Sequence, residues 1–228
     1  MQSSNFSMGK NETEVVTARI DISNENLASF EKTLSLSELE RANKFKFDRD
    51  KQKYIFVHGL LRELIGIRLG MPPDRIKFFY GNSGKPYLHP GPTNSKLHFN
   101  LSHSRDYVSF AFSKYAEVGI DIEALDEKND ADAVASHVFS PKELEMYSAL
   151  SSASKLQGFF NCWTRKEAFV KALGAGLDYA LDSFDVSLIP NEPAKIFQIR
   201  NPVDADRIWH ILSFLPAPGY AGCLIATS

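Results

Sequence analysis

Two hydrophobic periods alternate along this chain, and they do so twice in the same order. Residues 15–23 (VVTARIDIS) and 117–123 (EVGIDIE) alternate between apolar and polar over most of their length, which predicts strands. Each is followed by an apolar-Ser-x-x-Glu-Leu-Glu segment, one starting at Leu34 and one at Phe139, with Ser35 and Ser140 separated by 105 positions. Ser35/Glu38 and Ser140/Glu143 have capping-box spacing, so each pair opens a helix. A long stretch of helical period comes next, residues 50–70 and 159–177. The second of these runs into Gly174 and Gly176, which suit a helix stop. A further strand then follows in each case, residues 75–80 and 183–188.

Capping boxes are common, but the same order of strand, capped helix, long helix and strand in both parts is specific. It predicts an α/β (α+β) protein with two pseudo-duplicated halves, 1–115 and 116–228. Alternating segments at 97–102, 107–113, 209–215 and 219–227 add strands, giving each half a mainly antiparallel sheet with helices on one face. The expected place for a site is the cleft between the halves. Two halves in one chain can form that cleft without a partner, so a monomer is expected.

Composition narrows the class. With 26 basic and 28 acidic residues the net charge is −2, which argues against a nucleic-acid binder that relies on global positive charge. A local basic pocket for a phosphorylated small molecule stays open. Cys162 and Cys223 are far apart and outside any CxxC spacing, as expected of buried thiols in a reducing compartment. The first residues, MQSSNFSMGKNETE, contain no apolar leader, and no run approaches the ~18 apolar residues of a membrane span. The expectation is a soluble, cytoplasmic protein with no nucleic-acid or membrane partner.

The candidate chemistry is concentrated in four places. In the 159–177 helix, Trp163, Lys166, Glu167, Val170 and Lys171 recur at helical spacing and are expected on one face. Taken alone, Glu167/Lys171 reads as a surface ion pair. In GIDIE, Asp121 and Glu123 project from one side of a strand, either as a hard-cation site with Glu167 as third oxygen ligand or as a solvated strand face. In YGNSGKPYL (80–88), Gly84 and Pro86 punctuate a turn where Lys85 either meets a phosphate or is an ordinary hairpin lysine. The GxxxxGK[ST] pattern is absent. In FNLSHS (99–104), Ser102 and His103 could bind an anion, though a lone histidine at a strand end is more often structural. His58, His89, His98, His137 and His210 show no metal spacing. The basic stretch 45–54, with Arg41 and Lys44 before it, reads as a solvated helix face.

The order of GKP, FNLSHS, GIDIE, FSPKE and WTRKEAFVKALGAGL resembles one family, the larger, two-half 4′-phosphopantetheinyl transferases of the surfactin-synthetase-activating type. These motifs span about residues 41–177. The resemblance implies transfer of the phosphopantetheine arm of coenzyme A to a serine of an acyl or peptidyl carrier protein, leaving adenosine 3′,5′-bisphosphate. It implies Mg²⁺, with Mn²⁺ as a possible substitute, on Asp121, Glu123 and Glu167. Gly84, Lys85, Pro86, Asn100, Ser102, His103, Asp121 and Lys171 match contacts to coenzyme A, and Arg41 and Lys53 match cations for its 3′-phosphate. Glu143 matches a proposed general base, beside Glu167 and Lys171 as catalytic groups. A helix N-terminus lowers a carboxyl pKa and weakens it as a base, so a metal-bound water relayed through Glu123 competes with Glu143. Residues 124–154, with exposed-looking Met146, Tyr147 and Leu150, are the expected carrier-docking stretch.

Two other readings fit part of the pattern. A non-catalytic carrier-binding or nucleotide-binding module would share the fold but would be free to lose Asp121, Glu123, Glu167 and Lys171. A Mg²⁺-dependent nucleotide hydrolase would use the acidic cluster and leave GKP and SHS unexplained.

Overall fold

A computed structural model describes residues 1–8, 11–89, 97–128 and 130–228. In chain order the elements are β1 (Gln2–Met8), β2 (Asn11–Arg19), α1 (Asn24–Glu31), α2 (Leu36–Ala42), α3 (Asp48–Leu69), β3 (Phe78–Tyr80) and β4 (Pro86–Leu88). Then come β5 (His98–Ser104), β6 (Tyr107–Ser113), β7 (Val118–Ala124), α4 (Ala131–Val138), α5 (Pro141–Ser148) and α6 (Ser152–Leu173). The chain ends with β8 (Phe184–Val186), β9 (Ile196–Ile199), α7 (Pro202–Ala205), β10 (Trp209–Phe214) and β11 (Tyr220–Thr227). This is a mixed α/β protein with antiparallel sheets, as the sequence predicts.

By contact the chain divides into two compact units. One comprises Met1–Thr17, Tyr80–Tyr87 and Lys96–Ser228, the other Ala18–Phe79 and Leu88–Ser95. This partition is drawn by packing and the halves 1–115 and 116–228 by the sequence repeat, so the two need not coincide.

In the first unit one sheet has the order β1-β2-β6-β5 and another β10-β11-β7. The α6 helix lies on β7 and β11, and its apolar side (Phe159, Phe160, Ala168, Phe169, Ala172) is buried in one core with Cys223 and Ile225 of β11. Gly119 makes this approach possible. A Cβ there would stand 2.0 Å from the Ala168 carbonyl oxygen and 2.3 Å from the Ala172 nitrogen, closer than atoms can pack. A glycine inside a buried strand therefore sets the distance between β7 and α6, the two elements that carry the candidate carboxylates.

The second unit holds α1, α2 and α3. Here α2 opens with the capping box expected at Ser35/Glu38, and α5 of the first unit opens with the one expected at Ser140/Glu143. The following helices, α3 and α6, are both 22 residues long and both end at a left-handed glycine, Gly70 (φ 64) and Gly174 (φ 69). Each capping glutamate also reaches a buried cation at the fifteenth residue of the following helix. Glu38 pairs with Arg62 at 2.6 Å and Glu143 with Lys166 at 2.7 Å. Both cations then bind carbonyls further along the chain, Arg62 those of Pro73 and Ile76, Lys166 those of Leu181 and Phe184. The sequence repeat is thus matched by a repeated packing device.

Candidate active site

The turn at 80–88, β5, β7 and α6 bring most of the candidate residues together within the first unit. Their side chains come from both sides of residue 115. A cavity of about 320 Å³ is lined by Gly84, Lys85, Pro86, Asn100, Glu167 and Lys171, with Val170, Leu101, Tyr179 and Leu181 as its apolar wall. Helical spacing places Glu167 and Lys171 one turn apart on the side of α6 that faces this cavity.

The geometry around β7 follows from its alternation. Ile120 and Ile122 are fully buried on one side, and Asp121 and Glu123 project from the other toward β5. Strands β5 and β7 belong to different sheets, yet polar side chains of β5 at every second position span the gap. Asn100 Oδ1 accepts the Ile120 amide at 3.0 Å, Ser102 donates to Asp121 Oδ1 at 2.8 Å, and Ser104 donates to Glu123 Oε2 at 2.6 Å. Lys171 donates to the same Asp121 oxygen at 2.6 Å and to Ser102 at 3.1 Å. The other oxygen, Asp121 Oδ2, is buried and has no hydrogen-bond partner among the described residues.

Charge is crowded here. Burial pushes the Glu123 carboxyl above its ordinary range; the Asp121 and Glu167 charges add to this, while Ser104 and Lys171 oppose it. Burial likewise raises Glu167, with Asp121 adding and Lys171 opposing. These groups fit a hard cation: the donors are all oxygens, their mutual repulsion is under-compensated, and one buried carboxylate oxygen is left without a partner. Among the described residues, however, no three His, Cys, Asp or Glu side chains are gathered into a ready-made metal group.

Several expected residues are placed differently. Glu143 is fully buried, with one oxygen accepting the Val186 amide and the other held by the Ser140 amide and Lys166. Burial raises its carboxyl pKa, the Lys166 charge working against that, so the lowering expected from the helix N-terminus does not prevail. A buried carboxylate with both oxygens engaged is poorly placed to receive a proton from an incoming serine, in contrast to the general-base role that the resemblance implies. Lys166 turns away from Glu167 to form this pair, so the five residues expected on one face of α6 are divided. Trp163 lines a separate groove of about 200 Å³ with Glu123, Val134, Phe159 and Phe160.

Lys85 is also buried, not an exposed turn cation. Its ammonium donates to the carbonyls of Ala172 (3.1 Å) and Val118 (3.3 Å) and lies 3.6 Å from Glu117. It therefore caps the last turn of α6 while its side chain forms part of the cavity lining. His103 is exposed and, by strand alternation, lies on the opposite face of β5 from Asn100 and Ser102. Arg41 and Lys53 belong to the second compact unit. In the docking stretch Tyr147 is buried, stacked edge-on against Phe139 and donating to Asp132. Sequence reasoning missed Ser104 and Tyr179. For Ser104 the signal was present, since it continues the period-two pattern of Asn100 and Ser102.

A largely apolar cavity lined by Glu167, Lys85 and Lys171, with Asp121 paired to Lys171, is suited to group transfer on a charged substrate. Residues 117–224 match the family described as the 4′-phosphopantetheinyl transferase superfamily, and residues 21–114 match the family described as 4′-phosphopantetheinyl transferase, N-terminal. The chain is 34% identical over 212 residues to the 4′-phosphopantetheinyl transferase HetI of Nostoc, covering 93% of this chain and 86% of that protein. It is 30% identical to a putative 4′-phosphopantetheinyl transferase of Synechocystis, covering 75% of this chain and 68% of the relative. It is 32% identical to a 4′-phosphopantetheinyl transferase of Bacillus subtilis, covering 68% of this chain and 66% of the relative. The chain belongs to the 4′-phosphopantetheinyl transferase superfamily. It is a transferase of the phosphopantetheine group.

Proposed function

We propose that this chain transfers 4′-phosphopantetheine from coenzyme A to the serine of an apo acyl or peptidyl carrier protein, with Mg²⁺ bound by Asp121, Glu123 and Glu167. The observation that carries this reading is the unpartnered, buried Asp121 Oδ2 within a cluster of carboxylates beside Lys171. When bound, the cation would neutralise phosphate charge and that of the carboxylates. The cavity beside Pro86, Val170 and Tyr179 receives the nucleoside end, where flat apolar walls suit a base.

Lys171, 30% exposed, is free to pass from Asp121 to a substrate phosphate, where it opposes the charge that grows on the leaving bisphosphate. Glu167 lines the same cavity, where its carboxylate would complete the cation site with Asp121 and Glu123. Arg41 and Lys53 remain candidates for the 3′-phosphate on the resemblance alone, as does His103 for a phosphate contact. The exposed parts of 124–154 remain the candidate docking stretch, without Tyr147.

The repeated capping-box pairs support two pseudo-duplicated halves, 1–115 and 116–228, with the site in the cleft between them. Of the two long helices only α6 carries the glutamate–lysine pair. The α3 position equivalent to Glu167 is Glu63, but the position equivalent to Lys171 is Ile67. We place the protein in the cytoplasm, as its two free, buried cysteines support, and as a monomer. Light scattering that shows an obligate dimer at micromolar concentration contradicts the latter. No helix among the described residues is long and apolar enough to cross a membrane.

Chromatography of the nucleotide product separates the readings. Adenosine 3′,5′-bisphosphate should appear only when coenzyme A, Mg²⁺ and an apo carrier are all present. Release without carrier would indicate a hydrolase, and coenzyme A binding without release would indicate a binding module.

A further inference from the structure

The two carboxylates of β7 are held in the same way. One oxygen of Asp121 accepts from Ser102 and one oxygen of Glu123 accepts from Ser104, both hydroxyls coming from β5 in the neighbouring sheet. Ser104 Oγ makes a second bond that Ser102 does not. It accepts the Ala124 amide at 3.1 Å, so the one hydroxyl fixes the backbone just after Glu123 as well as the Glu123 carboxylate. Ser104 is itself held, because Tyr220 on the strand opposite Ala124 donates to its carbonyl at 3.3 Å. The turn that follows is pinned to the end of β7 by the Arg105–Asp126 ion pair, and Arg105 takes a left-handed conformation (φ 47) there.

A glutamate has three side-chain torsions and would otherwise sample several rotamers. Glu123 is only half-buried, so packing alone does not select one. The Ser104 bond to Oε2 fixes the carboxylate plane and leaves Oε1 without a hydrogen bond among the described residues.

We propose that Ser104 is a positioning residue that holds Glu123 in the orientation in which Oε1 receives the cation, an inference that rests on the metal reading above. Outer-shell partners of metal ligands typically contribute about ten- to hundredfold in metal affinity. The Ser104→Ala variant should therefore bind Mn²⁺ about tenfold more weakly, measured on the full chain by electron paramagnetic resonance with coenzyme A present. Its melting temperature without metal should stay within a few degrees of wild type. Ser104→Thr, which keeps the hydroxyl, should restore the affinity. The half-saturating Mg²⁺ concentration for transfer should rise in parallel, with KM for coenzyme A little changed.

Asp121→Asn serves as the reference. If it leaves Mn²⁺ binding intact, the metal reading itself falls. If Asp121→Asn abolishes binding while Ser104→Ala binds Mn²⁺ as wild type does, only the role of Ser104 is overturned. Should Ser104→Ala fail to fold, Ser104→Cys keeps the shape with a weak donor, and wild-type affinity in that variant likewise overturns it.

Discussion

At the scale of single residues, a few charged groups have environments that decide their roles. Lys171 and Lys166 lie on the same helix, yet the first is partly exposed beside Asp121 and the second is sealed against Glu143. If Lys171 stabilises charge in the transition state, Lys171→Ala should lower kcat by on the order of a hundredfold and raise KM for coenzyme A much less. Lys171→Arg should recover only part of the loss, because a planar guanidinium cannot take the same point-charge position. A change confined to KM would make Lys171 a ground-state anchor. The reverse is expected at Glu143. Removing one partner of a buried pair leaves an uncompensated charge and typically costs about 3–5 kcal/mol. Glu143→Gln should therefore shift the urea midpoint strongly, while molecules that remain folded turn over at near the normal rate. A stable Glu143→Gln enzyme with a collapsed kcat would restore Glu143 as the base.

At the scale of elements, the site depends on how closely α6 lies on β7, and Gly119 sets that distance. Gly119→Ala must push the helix away, since the added methyl meets backbone atoms that cannot rotate aside. A loss of several degrees in melting temperature together with impaired transfer is expected; an unaltered protein would mean that α6 and β7 are not tightly packed. Much at this scale was legible in the sequence. Both capping boxes, the stops of α3 and α6 at Gly70 and Gly174, and the alternation of β5, β6, β7, β10 and β11 are local signals, and local physics decides them. The β1 strand was not legible, because QSSNFSM buries little besides Met8 and carries no alternating apolar run. The fates of Lys85, Lys166 and Glu143 were not legible either. A charged residue at helical or turn spacing reads as exposed, and only the packed chain reveals the carbonyl or counter-charge that permits burial. For Asp121, Glu123, Glu167 and Lys171 the spacing sufficed to bring them near one another, since one strand and one helix carry all four.

For the molecule as a whole, the pairing of the capping Glu38 with Arg62 makes stability depend on acid. Burial alone would raise the Glu38 carboxyl, but His58, Arg62 and Ser35 prevail and hold it at about 2, below the ordinary 4.5. His58 Nδ1 lies 3.5 Å from Glu38 Oε1. A folded-state pKa below the unfolded one stabilises fully above about pH 4.5 and progressively less as the pH falls toward 2, a contribution on the order of 3 kcal/mol. Urea midpoints measured between pH 5 and 3 should fall for the wild type and fall less steeply for Glu38→Gln; equal slopes would show that Glu38 is not the group responsible. The central claim, that the carboxylate cluster serves phosphopantetheine transfer, is tested most directly by the intact mass of an apo carrier protein after incubation with coenzyme A, Mg²⁺ and either wild type or Asp121→Ala. The carrier should gain one phosphopantetheine with wild type and almost none with a folded Asp121→Ala protein. Equal gains from both, with circular dichroism showing both folded, would contradict it.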